Sequence, residues 1–217
     1  MVKLASTVLM VNALLATNTQ AFSPSSSSRR AFLDTVCTSS AAAILTTIPS
    51  LTNAASEDPK VGGKVRLGDE SIMSPKEHGT SSVPVQENLQ IVSNKLADKI
   101  SNYNRRFAEY GGYFQSTEFE SVVREAKGPV TFYDSNSGKP LFVAPIGRSA
   151  EDFIAESEIH GWPSFRDEET VWENVRVLKG SGETVSVDGT HLGHNIPDRK
   201  GNRYCINLVS VAGNPIV

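Results

Sequence analysis

The sequence predicts a small, mainly β domain whose strands are antiparallel and whose first elements are helices. After residue 129, short segments rich in β-branched and aromatic residues follow one another, with turn signals between them. Before residue 129, apolar residues recur at three- and four-residue steps, which is the period of a helix. Short strands separated by turns are typical of a small antiparallel β domain.

Two helices are predicted in the first part of the domain, and both are interpreted as packing scaffold. The first has one apolar face and ends at Gly111. The second begins at Thr117, where Glu120 completes a capping box, and ends before Pro129. The apolar face of the first helix consists of Leu89, Val92, Leu96, Ile100, Tyr103 and Phe107.

The remaining elements are strands, interrupted by one further helix. That helix is predicted from Ser149 and Asp152, which form a capping box, and from Gly161, which ends it. The predicted strands cover residues 130–133, 141–143, 171–178, 184–187 and 204–211.

The first 55 residues are interpreted as a targeting presequence. Lys3 precedes an apolar stretch with small residues at its end, as in a secretory signal peptide. The Ala-Phe-x-Pro junction around Phe22 resembles the plastid address of algae with complex plastids. Arg29 and Arg30, followed by an apolar tract, form a twin-arginine signal. We expect delivery to the thylakoid lumen and cleavage near Ala55, and the alternative is one signal peptide and a secreted protein.

Composition divides the rest of the chain and excludes several classes of function. Residues 56–84 are interpreted as a flexible linker, residues 85–128 as the helical part and residues 129–217 as the β domain. The 217 residues carry 21 Lys and Arg against 24 Asp and Glu, so nucleic-acid binding is not expected. No apolar stretch is long enough for a lasting membrane span. We expect a monomer.

Residues with distinctive chemistry concentrate in the last third of the sequence. Trp162 lies in a Gly-Trp-Pro-Ser-Phe segment, and His191 and His194 are three positions apart in a predicted loop. Cys205 lies between Arg203 and Asn207, and in a strand these three side chains share one face. The guanidinium charge is expected to lower the thiol pKa.

Each feature also has a purely structural interpretation. A lone cysteine such as Cys205 is usually a small core residue. Two histidines at the spacing of His191 and His194 are more often hydrogen-bonded loop residues than ligands, and Trp162 could fill the core. The order of the three segments, Gly-Trp-Pro-Ser-Phe, His-Leu-Gly-His and Arg-Tyr-Cys-Ile-Asn, is more specific than any one of them.

That order resembles the B-type peptide-methionine (R)-S-oxide reductases, over roughly residues 103–217. The family fold is a pair of antiparallel sheets with N-terminal helices. The resemblance implies that Cys205 is the nucleophile, that His191 and His194 polarise and protonate the sulfoxide oxygen, and that no metal takes part. It also implies roles for the residues around them, with Asn207 and Arg203 orienting the site, and with Trp162 and Phe165 binding the substrate.

The sequence departs from the family pattern at the zinc site and at the resolving cysteine. Many members bind structural zinc through two Cys-x-x-Cys pairs, whose four positions are Asp134, Ser137, Val185 and Asp188 here. We expect no structural zinc, because these side chains do not form the closed thiolate site that zinc prefers. His160 stands where a resolving cysteine often lies, so an external thiol such as thioredoxin, glutaredoxin or glutathione is expected to be the reductant.

Three functions from different classes follow from these residues. The first is an enzyme that repairs methionine-R-sulfoxide in oxidised proteins. The second is a binding module that recognises methionine-containing peptides without turnover. The third is a metal-binding protein that uses His191, His194 and Cys205, with His160 as a fourth ligand.

Overall fold

The computed structural model of the protein describes residues 58–73, 84–103 and 106–216. The predicted presequence, residues 1–55, lies outside the described residues, as does Cys37. The helices are α1 (Asn94–Tyr103), α2 (Phe119–Glu125) and α3 (Ala150–His160). The strands are β1 (Leu67–Gly68), β2 (Val130–Tyr133), β3 (Pro140–Ala144), β4 (Ser164–Phe165), β5 (Val175–Leu178), β6 (Glu183–Ser186), β7 (His191–Asn195) and β8 (Tyr204–Ile206).

The described part of the chain is mostly β, with two sheets and three helices, as the predicted class requires. The larger sheet has six strands in the order β1-β5-β6-β7-β8-β4, and the smaller sheet pairs β2 with β3. The larger sheet is mixed rather than antiparallel, because β1 pairs with β5 in parallel. The other strand pairs of the described residues are antiparallel.

The strand β1 lies in a segment that we predicted to be linker, so that prediction is wrong for residues 58–73. Leu67 of this segment pairs with Val177 of β5. Met73 is buried in a small apolar cluster with Leu178 and Val185. The segment has few apolar residues and no periodicity, so its order depends on partners that are distant in the sequence.

The three helices differ in how closely they follow the predicted boundaries. For α3 the prediction is confirmed, since Ser149 and Asp152 form a reciprocal capping box and Gly161 ends the helix at φ 81°. The capping box predicted for α2 is absent, because that helix begins at Phe119, two residues after Thr117, whose hydroxyl instead accepts from the N–H of Phe119 at 3.2 Å. No described helix is long and apolar enough to cross a bilayer.

An aromatic core joins α3, the smaller sheet and β4. The ring of Phe165 stacks on Phe142 with 4.3 Å between the centroids, and Phe132 and Phe153 contact the same ring edge-on or tilted. Packing of this kind buries about 150–250 Å² for each aromatic side chain. The core therefore fixes β4 and the turn before it, which carries Trp162.

Candidate functional site

The thiol of Cys205 lies on β8, an interior strand of the six-stranded sheet. Cys205 pairs with His194 of β7 on one side and with Ser164 of β4 on the other. Directly opposite residues of antiparallel strands point to the same face, with Cβ atoms about 4.5–5.5 Å apart. The thiol is therefore flanked by an imidazole and a hydroxyl.

His191 and His194 belong to strand β7 and not to a loop, which corrects the prediction. Residues three apart in a regular strand point to opposite faces. The register of β7 against β6 shifts, however, because Glu183 pairs with His194 while Val185 pairs with His191. This bulge leaves Leu192 as the extra residue and returns both imidazoles to one face, with ring centroids 6.1 Å apart.

Each imidazole has a polar neighbour. The sequence indicated Asn207, which lies near His191, but it did not indicate Glu183, which lies near His194. The Nδ1 atom of the buried His191 lies 3.5 Å from Nδ2 of Asn207. The Nε2 atom of the half-exposed His194 lies 3.6 Å from the carboxylate of Glu183, which is itself buried. A carboxylate at this position orients the ring.

Arg203 is held against the thiol by an ion-pair network. Its Nη1 atom donates to Sγ of Cys205, and its Nε atom lies 3.2 Å from Oδ2 of Asp198. Asp198 also binds Arg166, whose guanidinium holds the pKa of this carboxyl well below its usual value. The network fixes the Arg203 guanidinium, so its charge stays at the sulfur atom.

Burial raises the pKa of the Cys205 thiol above its ordinary value of 9.0. The charge of Arg203 and the hydroxyl of Ser164 lower the pKa, but their effect is smaller than that of burial. Arg203 therefore acts in the predicted direction, although the prediction of a lowered thiol pKa is wrong for the site as a whole. Near neutral pH the resting thiol is protonated.

Replacing Arg203 with methionine is expected to raise the pKa of Cys205 further, because burial then acts without an opposing charge. The alkylation rate of Cys205 with iodoacetamide measures the thiolate fraction. In the wild type the rate should still be rising above pH 9.0, and in Arg203→Met the rise should move to higher pH. Lys200→Met removes an exposed cation as a control. A lowered thiol pKa in Arg203→Met would contradict the assignment.

Trp162 is held by backbone atoms of the segment that contains Glu109 and Gly111. Its Nε1 atom donates to the carbonyl of Glu109 at 3.2 Å. The ring lies over Gly111, where a Cβ atom would meet it at 3.4 Å, and the N–H of Gly112 donates to the carbonyl of Gly161 at 2.7 Å. Trp162 precedes β4 by two residues and is half-buried.

Phe165 does not belong with these residues, which corrects the prediction that it binds substrate. It pairs with Tyr204, so its side chain points to the face of the sheet opposite Cys205. There it is fully buried in the aromatic core. Its contribution to the site is indirect, because the core positions β4.

Glu109 is a site residue that the sequence analysis missed. Its carboxyl group accepts from the N–H groups of Leu208 and Val209 at 2.7 and 3.3 Å. Its own N–H donates to Oδ1 of Asn207 at 3.3 Å. Burial raises the pKa of this carboxyl from 4.5 to about 8, although the two N–H donors act in the opposite direction. No motif marks this residue, and only the raised pKa and the long-range contacts reveal it.

The buried carboxyl of Glu109 gives the protein a pH-dependent stability. A carboxyl pKa of about 8 in the folded state against 4.5 when unfolded means that the folded state holds this proton more tightly. Its stabilising effect is complete below the unfolded value and is lost as pH rises to about 8. Between these two pH values the wild type should lose on the order of a few kcal/mol of its free energy of unfolding. Glu109→Gln has no titrating group at this position and should not show this loss. Urea unfolding of both proteins over this pH range measures the difference, and parallel pH curves would contradict it.

Four positions correspond to zinc ligands in the family that the sequence resembles. Three of them carry polar side chains here, and the fourth, Val185, is apolar. The buried Asp134 accepts from the N–H groups of Asn136 and Ser137 and from the hydroxyl of Thr190. Asp188 forms an ion pair with Lys139 at 2.8 Å. Val185 lies in the apolar cluster around Met73, and among residues 58–73, 84–103 and 106–216 no three His, Cys, Asp or Glu side chains could together hold a metal ion.

An open cleft of about 990 Å³ lies next to the site, between α3 and the loop after β7. It is lined by side chains of both charges, including Glu156, Arg166 and Asp198, and by His160 at the end of α3. Burial, together with the nearby charge of Arg203, lowers the pKa of His160. The cleft therefore reaches the ion-pair network that holds Arg203.

No protein-family model matches the chain, and the search of curated proteins found no match either. The case for a function therefore rests on the residues and on their geometry.

Proposed function

We propose that the protein reduces methionine-R-sulfoxide in oxidised proteins to methionine, with Cys205 as the nucleophile. The observation that carries the proposal is the pairing of Cys205 with His194, together with the contact of Arg203 on the sulfur atom. A nucleophile, a proton donor and a cation on one face of the sheet are the groups that this reaction requires. The motif resemblance supports the same activity independently of this geometry.

The first step transfers the sulfoxide oxygen to the enzyme. The Cys205 thiol first gives its proton to solvent, and the thiolate then attacks the sulfoxide sulfur while the His194 imidazolium protonates the oxygen, which forms a sulfur–sulfur bond. The hydroxyl group passes to the Cys205 sulfur as the sulfur–oxygen bond of the substrate and the new sulfur–sulfur bond break. Methionine leaves reduced by two electrons, and Cys205 is left as a sulfenic acid. Arg203 stabilises the thiolate, and Asn207 fixes the second imidazole, that of His191. Trp162 offers an apolar surface to the substrate methyl group.

The second step needs a thiol from outside the described part of the chain, where Cys205 is the free cysteine. One external thiol displaces the sulfenic oxygen as water and forms a mixed disulfide, and a second thiol releases Cys205. Thioredoxin, glutaredoxin and glutathione supply this chemistry, and no metal or organic cofactor is part of the proposal.

An assay with separate sulfoxide epimers tests the proposed function. The wild type should reduce N-acetyl-methionine-R-sulfoxide with dithiothreitol and leave the S epimer unchanged. Dimedone should trap a sulfenic acid at Cys205, and Cys205→Ser should be inactive, because a hydroxyl is a poor nucleophile toward sulfur. Absence of R-epimer reduction by a folded wild type would refute the proposal.

The raised thiol pKa favours a second candidate, a module that binds methionine-containing peptides without reducing them. In that case Trp162 and the strand face form a recognition pocket, and Cys205 serves as a small packing residue. The two functions differ in one measurement. A binding module retains peptide affinity in the wild type and produces no methionine from sulfoxide.

The proposal places the protein in the thylakoid lumen, on the basis of Arg29 and Arg30 in the presequence. Changing both to lysine in a fluorescent fusion of the full chain is expected to stop delivery before the thylakoid. Lysine keeps the charge, so only twin-arginine recognition is lost. Replacing Lys3 with arginine is the matched control and should not alter delivery. Normal delivery of the double-lysine variant would contradict the twin-arginine interpretation.

A further inference from the structure

Glu109 connects Asn207, which fixes the His191 imidazole, with Trp162, which offers a surface to the substrate in the proposed reaction. Its N–H donates to Oδ1 of Asn207 at 3.3 Å, and its carbonyl accepts from Nε1 of Trp162 at 3.2 Å. Its carboxyl group accepts from Leu208 and Val209, the two residues that follow Asn207. We propose that Glu109 is a positioning residue for sulfoxide reduction, which holds Asn207 and Trp162 in their working geometry. This inference rests on the proposed function.

The side chain of Glu109 provides the anchor, and its backbone makes the two contacts with the site. The residue is 2% exposed, so the N–H groups of Leu208 and Val209 have no solvent to replace the carboxyl group. A buried donor that loses its acceptor is costly, and the chain moves to avoid it. Without the carboxyl group, the backbone of residue 109 is therefore expected to move away from Asn207 and Trp162.

Such a movement affects the two site residues in different ways. The Nδ2 atom of Asn207 lies 3.5 Å from Nδ1 of His191, so a shift of Asn207 disturbs the imidazole and lowers kcat. Trp162 has no part in proton transfer. A shift of its indole removes apolar contact with the substrate methyl group and raises KM.

The test compares Glu109→Ala with Glu109→Gln in the full-length protein, with N-acetyl-methionine-R-sulfoxide and dithiothreitol. We expect Glu109→Ala to lower kcat by about 10–100-fold and to raise KM. Glutamine keeps an acceptor oxygen for the N–H of Leu208, so kcat and KM of Glu109→Gln should stay close to those of the wild type. The control is Ser101→Ala, which removes a buried 3.3 Å hydrogen bond to Ser210 on the same turn and should leave kcat and KM unchanged.

A double-mutant cycle separates positioning from loss of stability. If Glu109 acts through Asn207, then Glu109→Ala should cause little further loss of kcat in an Asn207→Ala background. Independent losses that multiply would overturn the inference, as would an unchanged kcat and KM in Glu109→Ala. If the wild type is active and either of these results is found, only the inference about Glu109 fails, and the proposed function stands. A folded wild type that reduces no sulfoxide refutes the proposed function, and the inference about Glu109 fails with it.

Discussion

Replacing His194 with alanine is expected to lower kcat/KM for methionine-R-sulfoxide by about 10²–10⁴-fold. His194 pairs directly with Cys205, so its ring is the imidazole placed across from the reacting sulfur. It is half-exposed, whereas His191 is almost completely buried, so His194 can reach both a bound sulfoxide and solvent protons. Steady-state kinetics with dithiothreitol measure the loss.

Two variants separate proton transfer from other effects of this substitution. Glu183→Gln keeps the size of the residue beside His194 but removes its charge, so it tests whether the carboxylate is needed to orient the imidazole. His160→Ala removes a histidine from the end of α3, outside the paired strands, and should change kcat/KM little. A loss below about tenfold in His194→Ala would assign proton transfer to another group.

Replacing Gly193 with alanine is expected to destabilise the protein by about 3 kcal/mol or more and to abolish reduction. A Cβ atom at Gly193 would lie 2.0 Å from the carbonyl oxygen of Cys205, which is part of the backbone of β8. No rotamer relieves this contact, so β7 and β8 must separate. Separation breaks the pairing of His194 with Cys205. The unfolding free energy in urea and the rate of sulfoxide reduction measure the two effects.

Gly128→Ala is the matched control for this prediction. A Cβ atom at Gly128 has nothing within 4 Å, and its φ is not in the left-handed region. This variant should keep its activity and lose no stability, since alanine restricts the unfolded chain more than glycine does. If Gly193→Ala were as stable and active as Gly128→Ala, the close approach of β7 and β8 would not be a requirement of the site.

The elements that the sequence predicted well are those whose signals are local. Strand β2 coincides with the predicted residues 130–133, and the Ser149 capping box sets the start of α3. Strands β1 and β4 were missed because each has two residues, too few for a period to show. The predicted strand covers residues 204–211, but the observed strand ends at Ile206. A short 3-10 helix follows Asn207.

The sequence by itself determined the candidate nucleophile and the residues beside it on its strand. Alternation in a strand places Arg203 and Cys205 on one face whatever the rest of the fold does, and the structure shows the contact between them. His191, His194 and Cys205 were also recognisable in the sequence, because their residue types are rare and chemically distinctive.

The tertiary structure alone decided how these residues meet and which effect on the thiol is larger. The bulge in β7 that returns His191 to the face of His194 depends on the register against β6, which no local pattern encodes. The net rise in the thiol pKa depends on burial, which distant segments create around the residue. Glu109 joins the site through contacts across 98 to 100 positions of sequence, because hydrogen bonds and desolvation act through space and not along the chain.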